Sequence, residues 1–301
     1  MTAYANVGAW TARAAAAAQA AEADPWRLVQ TRFDPARAAH DAAIHCLANG
    51  TLGVRSSFEE QVGPSDGSYL AEVWERSSIQ YHERHSGFAL TTDTRIPVAD
   101  GTHVAIRLDG QALDLGACEW LDFERVLDLR AGSVSRRLRL RTPAGATIEI
   151  AAERFVPFAH AALLCIRLRI TSIDYAGTIE LESSIRSARR ATAQGDDPRI
   201  GAGAGDRMTT RAADATAQIA SMLQSTLVSG ITVACAQRHR IHGDVLALAH
   251  AEADADSARQ SYGGTLAAGG SVTFDKFVAY AWTQGAAKPE QMLLDEVSAE
   301  L

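Results

Sequence analysis

Lysine is almost missing from this chain. Lys276 and Lys288 are its only lysines among 29 basic residues in a sequence of 301, so arginine carries nearly all the positive charge. Arg and Ala codons are both rich in G and C, and base composition explains the bias without invoking a function. The formal net charge is −7, and no basic run is longer than Arg136-Arg137 or Arg189-Arg190. Without a basic face there are no counterions to release from phosphate, which argues against nucleic acid as a partner. CxxC pairs are also missing. Cys46, Cys118, Cys165 and Cys235 are far apart, so no zinc-ligand spacing arises, and a chain this long needs no disulfide framework. Four buried thiols in a reducing, cytoplasmic compartment are expected. No stretch of 18 strongly apolar residues occurs, so no helix is expected to span a membrane. The alanines at 14–18 lack the bulky core and basic start of a signal peptide, and residues 1–25 read as a tail or short helix.

Several chemical signatures are absent too. No G-x-G-x-x-G follows a strand, and no G-x-S-x-G occurs, so a nucleotide-binding sheet is disfavoured and no nucleophile is assigned. Gly201 to Gly205 looks phosphate-like, but no Lys-Ser/Thr follows it; it reads as a hairpin loop. His82 and His85, and His239 and His242, are spaced by three, but no Asp or Cys completes a ligand set. Neither a metal nor a cofactor is expected.

What the sequence does have is apolar content, 47% of it, in short alternating runs. Val104, Ile106 and Leu108 share one face of a run that ends at Asp109-Gly110, a strong hairpin signal. Runs over 134–142, 147–155, 162–170 and 178–185 repeat the period of two, and five more centre near 209, 220, 232, 247 and 275. Such runs place one row in a core and one in water. Many short strands with Gly, Pro and Asp-Gly turns predict a mainly β fold, a large antiparallel sandwich with short helices near its start. Pro289 and the acids after it open a helix over 287–301, which runs to Leu301 with no stop signal. The sandwich is expected over 26–286, followed by the start of a helical linker.

The sharpest local motif is Asn49-Gly50-Thr51-Leu52-Gly53-Val54-Arg55-Ser56-Ser57-Phe58-Glu59-Glu60. Asn-Gly asks for a positive-φ turn, and Gly53 allows close backbone approach. The segment resembles the N-G-x-x-G-x-R-x-x-x-E-E signature near the start of glycoside hydrolase family 65 enzymes, which include maltose, trehalose and kojibiose phosphorylases. Further pieces follow in that family's order. Pro97-Val98-Ala99-Asp100 comes first, ahead of Ile106-Arg107-Leu108-Asp109-Gly110. Glu124-Arg125-Val126-Leu127-Asp128-Leu129-Arg130-Ala131-Gly132 is similar to its R-x-L-D-M-R-x-G step, with Arg136 or Arg137 after it. Glu153-Arg154-Phe155-Val156 is similar to its R-F-V-S step, with Pro157 where Ser is usual. Asp197-Pro198-Arg199 and Gln224 to Gly230 fit later landmarks. The resemblance implies a super-sandwich N-terminal domain whose catalytic α/α barrel, with the general-acid Glu and phosphate site, lies outside this sequence.

Inverting attack on an α-glucoside needs a carboxylic acid for the leaving oxygen, and then phosphate or a water-activating carboxylate. Glu59 and Glu60 are adjacent, but neighbours on a strand point to opposite faces, so they read as salt-bridge or inter-domain residues, and no catalytic residue is assigned. Asn49, Gly50, Gly53, Arg55, Phe58, Glu59 and Glu60, with Tyr81 and His82, are expected at an inter-domain contact or the rim of the barrel's active site. Trp74 and Trp120 are the candidates for stacking on an α-glucoside disaccharide. Separated from its barrel, such a sandwich is expected to expose an apolar patch and to associate, for instance as a homodimer. The rival readings are a stand-alone carbohydrate-binding module and a separately encoded subunit.

Overall fold

In the computed structural model, residues 24–60, 67–79, 81, 83, 85–187 and 207–301 are described. His82, residues 1–23 of the expected tail, Asp197-Pro198-Arg199 and the Gly201 to Gly205 stretch lie outside the described residues. The first strands are β1 (Arg27–Gln30), β2 (Leu47–Ala48), β3 (Leu52–Val54), β4 (Ser68–Leu70), β5 (Trp74–Ser78), β6 (Thr91–Arg95), β7 (Val104–Leu108), β8 (Gln111–Ala112), β9 (Glu119–Asp128) and β10 (Ser133–Arg141). Then come β11 (Thr147–Phe155), β12 (Leu163–Ser172), β13 (Gly177–Arg186), β14 (Met208–Ala215), β15 (Ala220–Thr226), β16 (Ile231–His242), β17 (Leu246–Ala253), β18 (Ser257–Leu266) and β19 (Ser271–Gln284). Helix α1 (Ala38–Ile44) follows β1, and α2 (Glu290–Glu300) follows β19.

Two sheets dominate. The nine-stranded sheet has the order β1-β9-β10-β11-β12-β19-β16-β15-β14, and the five-stranded sheet the order β17-β18-β13-β7-β8. Smaller sheets, β2-β3-β4 and β5-β6, are built from the segment between α1 and β7. Neighbouring strands pair antiparallel, for example β10 with β11 and β13 with β18. The mainly β sandwich read from the sequence is the fold. At Asp109-Gly110 both residues have positive φ, 48° and 74°, the geometry that tight hairpins prefer.

Alternation places three apolar clusters. Leu138, Ile150, Leu168 and Phe274 of the larger sheet meet Ile106, Ile179 and Tyr262 of the smaller one. Further along the same inner face, Val134, Ile166 and Val278 meet Leu52, Leu70 and Val98. One face is thus covered in two halves, by the five-stranded sheet and by the 47–99 segment. The outer face carries the third cluster, where Leu293 and Val297 of α2 sit on Ala234, Ala236, Ala279 and Ala281. Residues four apart share a helix face, and alanine lets the helix approach the sheet closely. Beyond α2 the outer face is laced with ion pairs: Arg137–Asp122 at 3.1 Å, Arg139–Glu149 at 2.8 Å and Arg167–Asp275 at 2.7 Å.

One expectation needs correction. Cys165 and Cys235 are buried, but Cys118 is only half-buried and Cys46, just past the end of α1, is exposed; all four are free. Strand β18 carries Gly263-Gly264, which interrupts the alternation and hides it from a period-of-two reading. The second glycine is required by space, because a Cβ at Gly264 would sit 1.7 Å from the Val245 carbonyl oxygen. Among the described residues no helix is long and apolar enough to cross a membrane. Gly264→Ala forces the β17–β18 backbone apart and is expected to cost about 1–3 kcal/mol, read as a lower urea midpoint.

Candidate functional site

Four cations stand on the inner face of the nine-stranded sheet, where alternation calls for apolar side chains. Arg125 lies between Phe123 and Leu127, Arg136 between Val134 and Leu138, Arg154 between Ala152 and Val156, and Lys276 between Phe274 and Val278. In every case one neighbour belongs to the core under the five-stranded sheet and the other to the core under the 47–99 segment. The cations form a belt along the seam between the two cores, and none is more than 5% exposed.

Their partners come mainly from the Asn49 to Glu60 segment. Arg136 donates to Glu59 Oε2 at 2.9 Å and to Glu60 Oε1 at 2.7 Å. Arg154 donates to Glu59 Oε1 through both Nε and Nη2, and to the carbonyls of Arg55 and Ser57 at 3.0 and 2.6 Å. Arg125 takes the Ser56 carbonyl at 2.8 Å and Gln30 Oε1 at 2.9 Å, while Gln30 donates to Asp41 at 2.7 Å. Phe58 lies beneath two guanidiniums, with Arg136 at 4.4 Å and Arg125 at 5.4 Å from its ring centre, a desolvated cation–π arrangement. Glu59 and Glu60 offset Arg136 and Arg154, while Asp41, which also pairs with Arg37 at 3.7 Å, attracts Arg125 across Gln30.

Glu59 and Glu60 do not point to opposite faces. They lie in a turn rather than a strand, and both carboxylates reach Arg136. Burial opposes ionising Glu59, but Arg154 and Arg136 overcome it and hold its carboxyl below the ordinary value. At Glu60 burial wins over Arg136 and raises the carboxyl, with Glu59 adding to the rise. The seam continues across the sheet, since Arg154 pairs with Ile166 and Ile166 with Lys276. Lys276 Nζ donates to the carbonyls of His103 at 2.9 Å and Ser184 at 3.1 Å, tying the larger sheet to the opposite layer. Burial pulls this amine down to about 7, against the attraction of Asp100. A neutral amine has two N–H groups, as many as the carbonyls it meets.

The remaining expected site residues are spread around this belt. The Asn49 side chain accepts from Thr51 and Leu52 N–H, both at 3.0 Å, and donates to the carbonyls of Pro157 at 2.8 Å and Ala161 at 2.9 Å. Gly50 has φ 93°. At Gly53 a Cβ would make ordinary contact with Ala48, 3.8 Å away, so close approach is not what this glycine supplies. Arg55 reaches the Ala39 carbonyl at 3.0 Å. Trp120 stacks on Phe33 at 4.8 Å, and Arg76 lies 5.3 Å over the Trp74 ring, so each candidate sugar-stacking ring already has a protein group on one face. Tyr81 sits in the β5–β6 loop against Phe88 at 4.9 Å, apart from the belt. His239 bonds Tyr262 and Ser183, whereas His242 bonds Asp275; this pair faces opposite ways, as strand residues three apart do. A cleft of about 230 Å³ between the β7–β8 and β10–β11 turns is lined by Asp109, Asp114 and Tyr175. Asp109 there already accepts from Thr178 N–H at 2.9 Å.

Sequence reasoning missed Glu75. Its carboxylate is buried and accepts from Leu227, Val228 and Ser229 N–H at 2.8, 2.9 and 2.7 Å, fastening the β5–β6 hairpin to the β15–β16 turn. Burial pushes the carboxyl up, and the backbone donors more than offset it. No local pattern marks this residue, because the fold alone brings residue 75 to 227–229.

The motif Asn49 to Glu60, Arg125, Arg136 and Arg154, far apart in sequence, meet in one network. The model of the glycosyl hydrolase family 65 N-terminal domain matches residues 28–301. The chain belongs to that family. An α,α-trehalose phosphorylase of Thermoanaerobacter brockii is 27% identical over 263 residues, 85% of this chain and 34% of the relative. A kojibiose phosphorylase of Caldanaerobacter subterraneus subsp. tengcongensis is 27% identical over 53% of the chain and 20% of its own length. An uncharacterized glycosyl hydrolase of Mycobacterium leprae is 25% identical over 92% of the chain and 35% of its own length. Among solved structures, one described as "Putative kojibiose phosphorylase from human microbiome" superposes with a TM-score of 0.78 at 20% identity, covering 93% of this chain and 35% of that one; it shares the fold. This family 65 domain therefore spans about a third of the length of those relatives that it covers most fully.

Two outcomes follow from the belt. Removing one member of a buried ion group leaves an uncompensated charge, so Glu59→Gln is expected to lower unfolding free energy by about 3–5 kcal/mol in urea titrations. Asp122→Asn on the outer face should cost about 0–1 kcal/mol. The second outcome concerns pH. With Lys276 at about 7 in the folded state and 10.5 ordinarily, the unfolded chain binds a proton that the native one lacks between those values. Stability contributed by this group therefore rises with pH across that window. Lys276→Met should remove this part of the slope in thermal melts from pH 7 to 10.

Proposed function

We propose that the chain is the non-catalytic scaffold domain of a family 65 enzyme acting on α-linked glucose disaccharides, where it positions a catalytic α/α barrel. The observation that carries this reading is the fate of Glu59 and Glu60. A general acid must reach the glycosidic oxygen, and a general base must reach water. Both carboxylates of the family signature are instead buried and held by Arg136 and Arg154, so the signature builds the fold and leaves the chemistry to another domain. The relatives named as trehalose and kojibiose phosphorylases support a disaccharide substrate for the whole enzyme.

Within the Asn49 to Glu60 segment, contact with another domain falls to Asn49, Gly50 and Thr51, because Phe58, Glu59 and Glu60 are enclosed. The β5–β6 loop carrying Tyr81 and Phe88, held by Glu75, is the second contact with the barrel's rim. Homodimer formation and a cytoplasmic setting belong to this reading too; the four free thiols support a reducing compartment. The test is to incubate the purified 301-residue chain with phosphate and trehalose, kojibiose or maltose. The expected result is no glucose 1-phosphate, no free glucose, and no heat on titration with the same sugars. Release of either product would overturn the scaffold reading. Saturable heat without turnover would favour a stand-alone carbohydrate-binding module.

A further inference from the structure

We propose that Phe155 and Phe158 anchor the docking surface for the part of a family 65 protein outside this chain's span, an apolar element seated on the outer face of the nine-stranded sheet beside α2. The inference rests on the reading of the chain as one domain of such a protein. Phe158 is the most exposed large apolar side chain among the described residues, at 82%, and Phe155 is 42% exposed. Arg154 points into the belt, so Phe155 must point out. Its register partner on β12 is Cys165, which lies under α2 in the same cluster as Leu293 and Val297. The apolar surface that α2 covers thus continues one strand beyond the helix. On that side Phe155 pairs with Ser133, and the small Ser135 pairs with Val126, itself opposite the exposed Val29.

Phe158 is not on a loose loop. The Asn49 side chain clasps the carbonyls of Pro157 and Ala161 on either side of it. His160 bonds Glu300 at 2.7 Å, pinning the end of α2 to the same turn. An apolar ring carried on backbone that is held before contact costs less ordering on binding, which suits an interface anchor. The neighbouring outer face is paired charge, from Arg137–Asp122 to Arg167–Asp275, and offers no comparable surface. Relatives that match most of this chain are more than two and a half times as long, since the matched 263 and 279 residues make up 34% and 35% of them. That additional mass supplies the occupant.

The experiment compares the 301-residue chain with a fusion in which residues 28–301 replace the matching region of the Thermoanaerobacter brockii trehalose phosphorylase. Hydroxyl-radical oxidation of Phe155 and Phe158 is expected to be rapid in the chain and several-fold slower in the fusion. The double variant Phe155→Ser, Phe158→Ser should lower the melting temperature of the fusion but shift that of the isolated chain by no more than about 2 °C, as for exposed sites. Rings equally reactive in a fusion that phosphorolyses trehalose would overturn the surface and leave the scaffold reading standing. A fusion that neither turns over trehalose nor protects the rings would count against both. The isolated chain decides independently: a large fall in its melting temperature would place the rings in the domain's own core and overturn the proposal. A dimer of the isolated chain dissolved by the double variant, with the rings unprotected in the fusion, would give the surface to a second copy and also overturn it.

Discussion

The arrangement depends on one constraint: a sheet whose inner face is covered by two different bodies must keep those bodies apart. Arg125, Arg136, Arg154 and Lys276 do this by occupying the seam. A buried cation is costly unless it is paired and hydrogen-bonded; Arg136 and Arg154 are ion-paired, Arg125 bonds Gln30 and the Ser56 carbonyl, and Lys276, its amine pulled down to about 7, meets two carbonyls. The pairing demands particular partners. Glu59, Glu60 and the carbonyls of Arg55, Ser56 and Ser57 must arrive in one register. An apolar seam would bury as much area but would accept the 47–99 segment in several positions. The charges exchange some stability for a single answer, which is the best-attested use of buried polar groups.

The rest of the molecule can be read outward from that belt. Because Arg154 points in, Phe155 points out, and the β11 strand carries a charge for the core and a ring for the surface on consecutive residues. The 49–60 segment is held at both ends, by the belt over Phe58 and by Asn49 at the 157–161 turn. Lys276 joins the layers at the far side of the same seam through two backbone carbonyls. Glu75 is independent of the belt but obeys the same logic, since a buried carboxylate needs several donors and three consecutive N–H groups at 227–229 provide them.

Much of the fold was legible because alternation is a strong signal where one face is wet. Strands β10 to β13 are plain in the sequence, as is the Asp109-Gly110 hairpin. Strand β18 was not, because Gly263-Gly264 breaks the alternation, and Gly264 is there for a close backbone approach rather than for packing. The site was legible as a motif but not as a geometry. Adjacent glutamates suggest opposite faces when a strand is assumed, and only the turn at 59–60 lets both reach Arg136. The cations left a subtler trace. Val134-x-Arg136-x-Leu138 puts a charge where the period requires an apolar residue, and that break identifies a buried ion more directly than the acidic pair does. Glu75 left none, because its partners lie more than 150 positions away.

Weak landmarks scattered over a hundred residues become specific together for a physical reason. Glu59, Glu60, Arg136 and Arg154 are not separate signatures; they are the terms of one neutralisation, with Arg125 bonded beside them to Gln30 and the Ser56 carbonyl. Losing any one strands a charge in the interior, so these residues make sense only as a set. The same reasoning limits what the motif can say about chemistry. Groups consumed in balancing one another are unavailable to a substrate. A signature of this kind identifies the family 65 N-terminal fold, while chemistry has to be read from residues that remain free to meet a ligand.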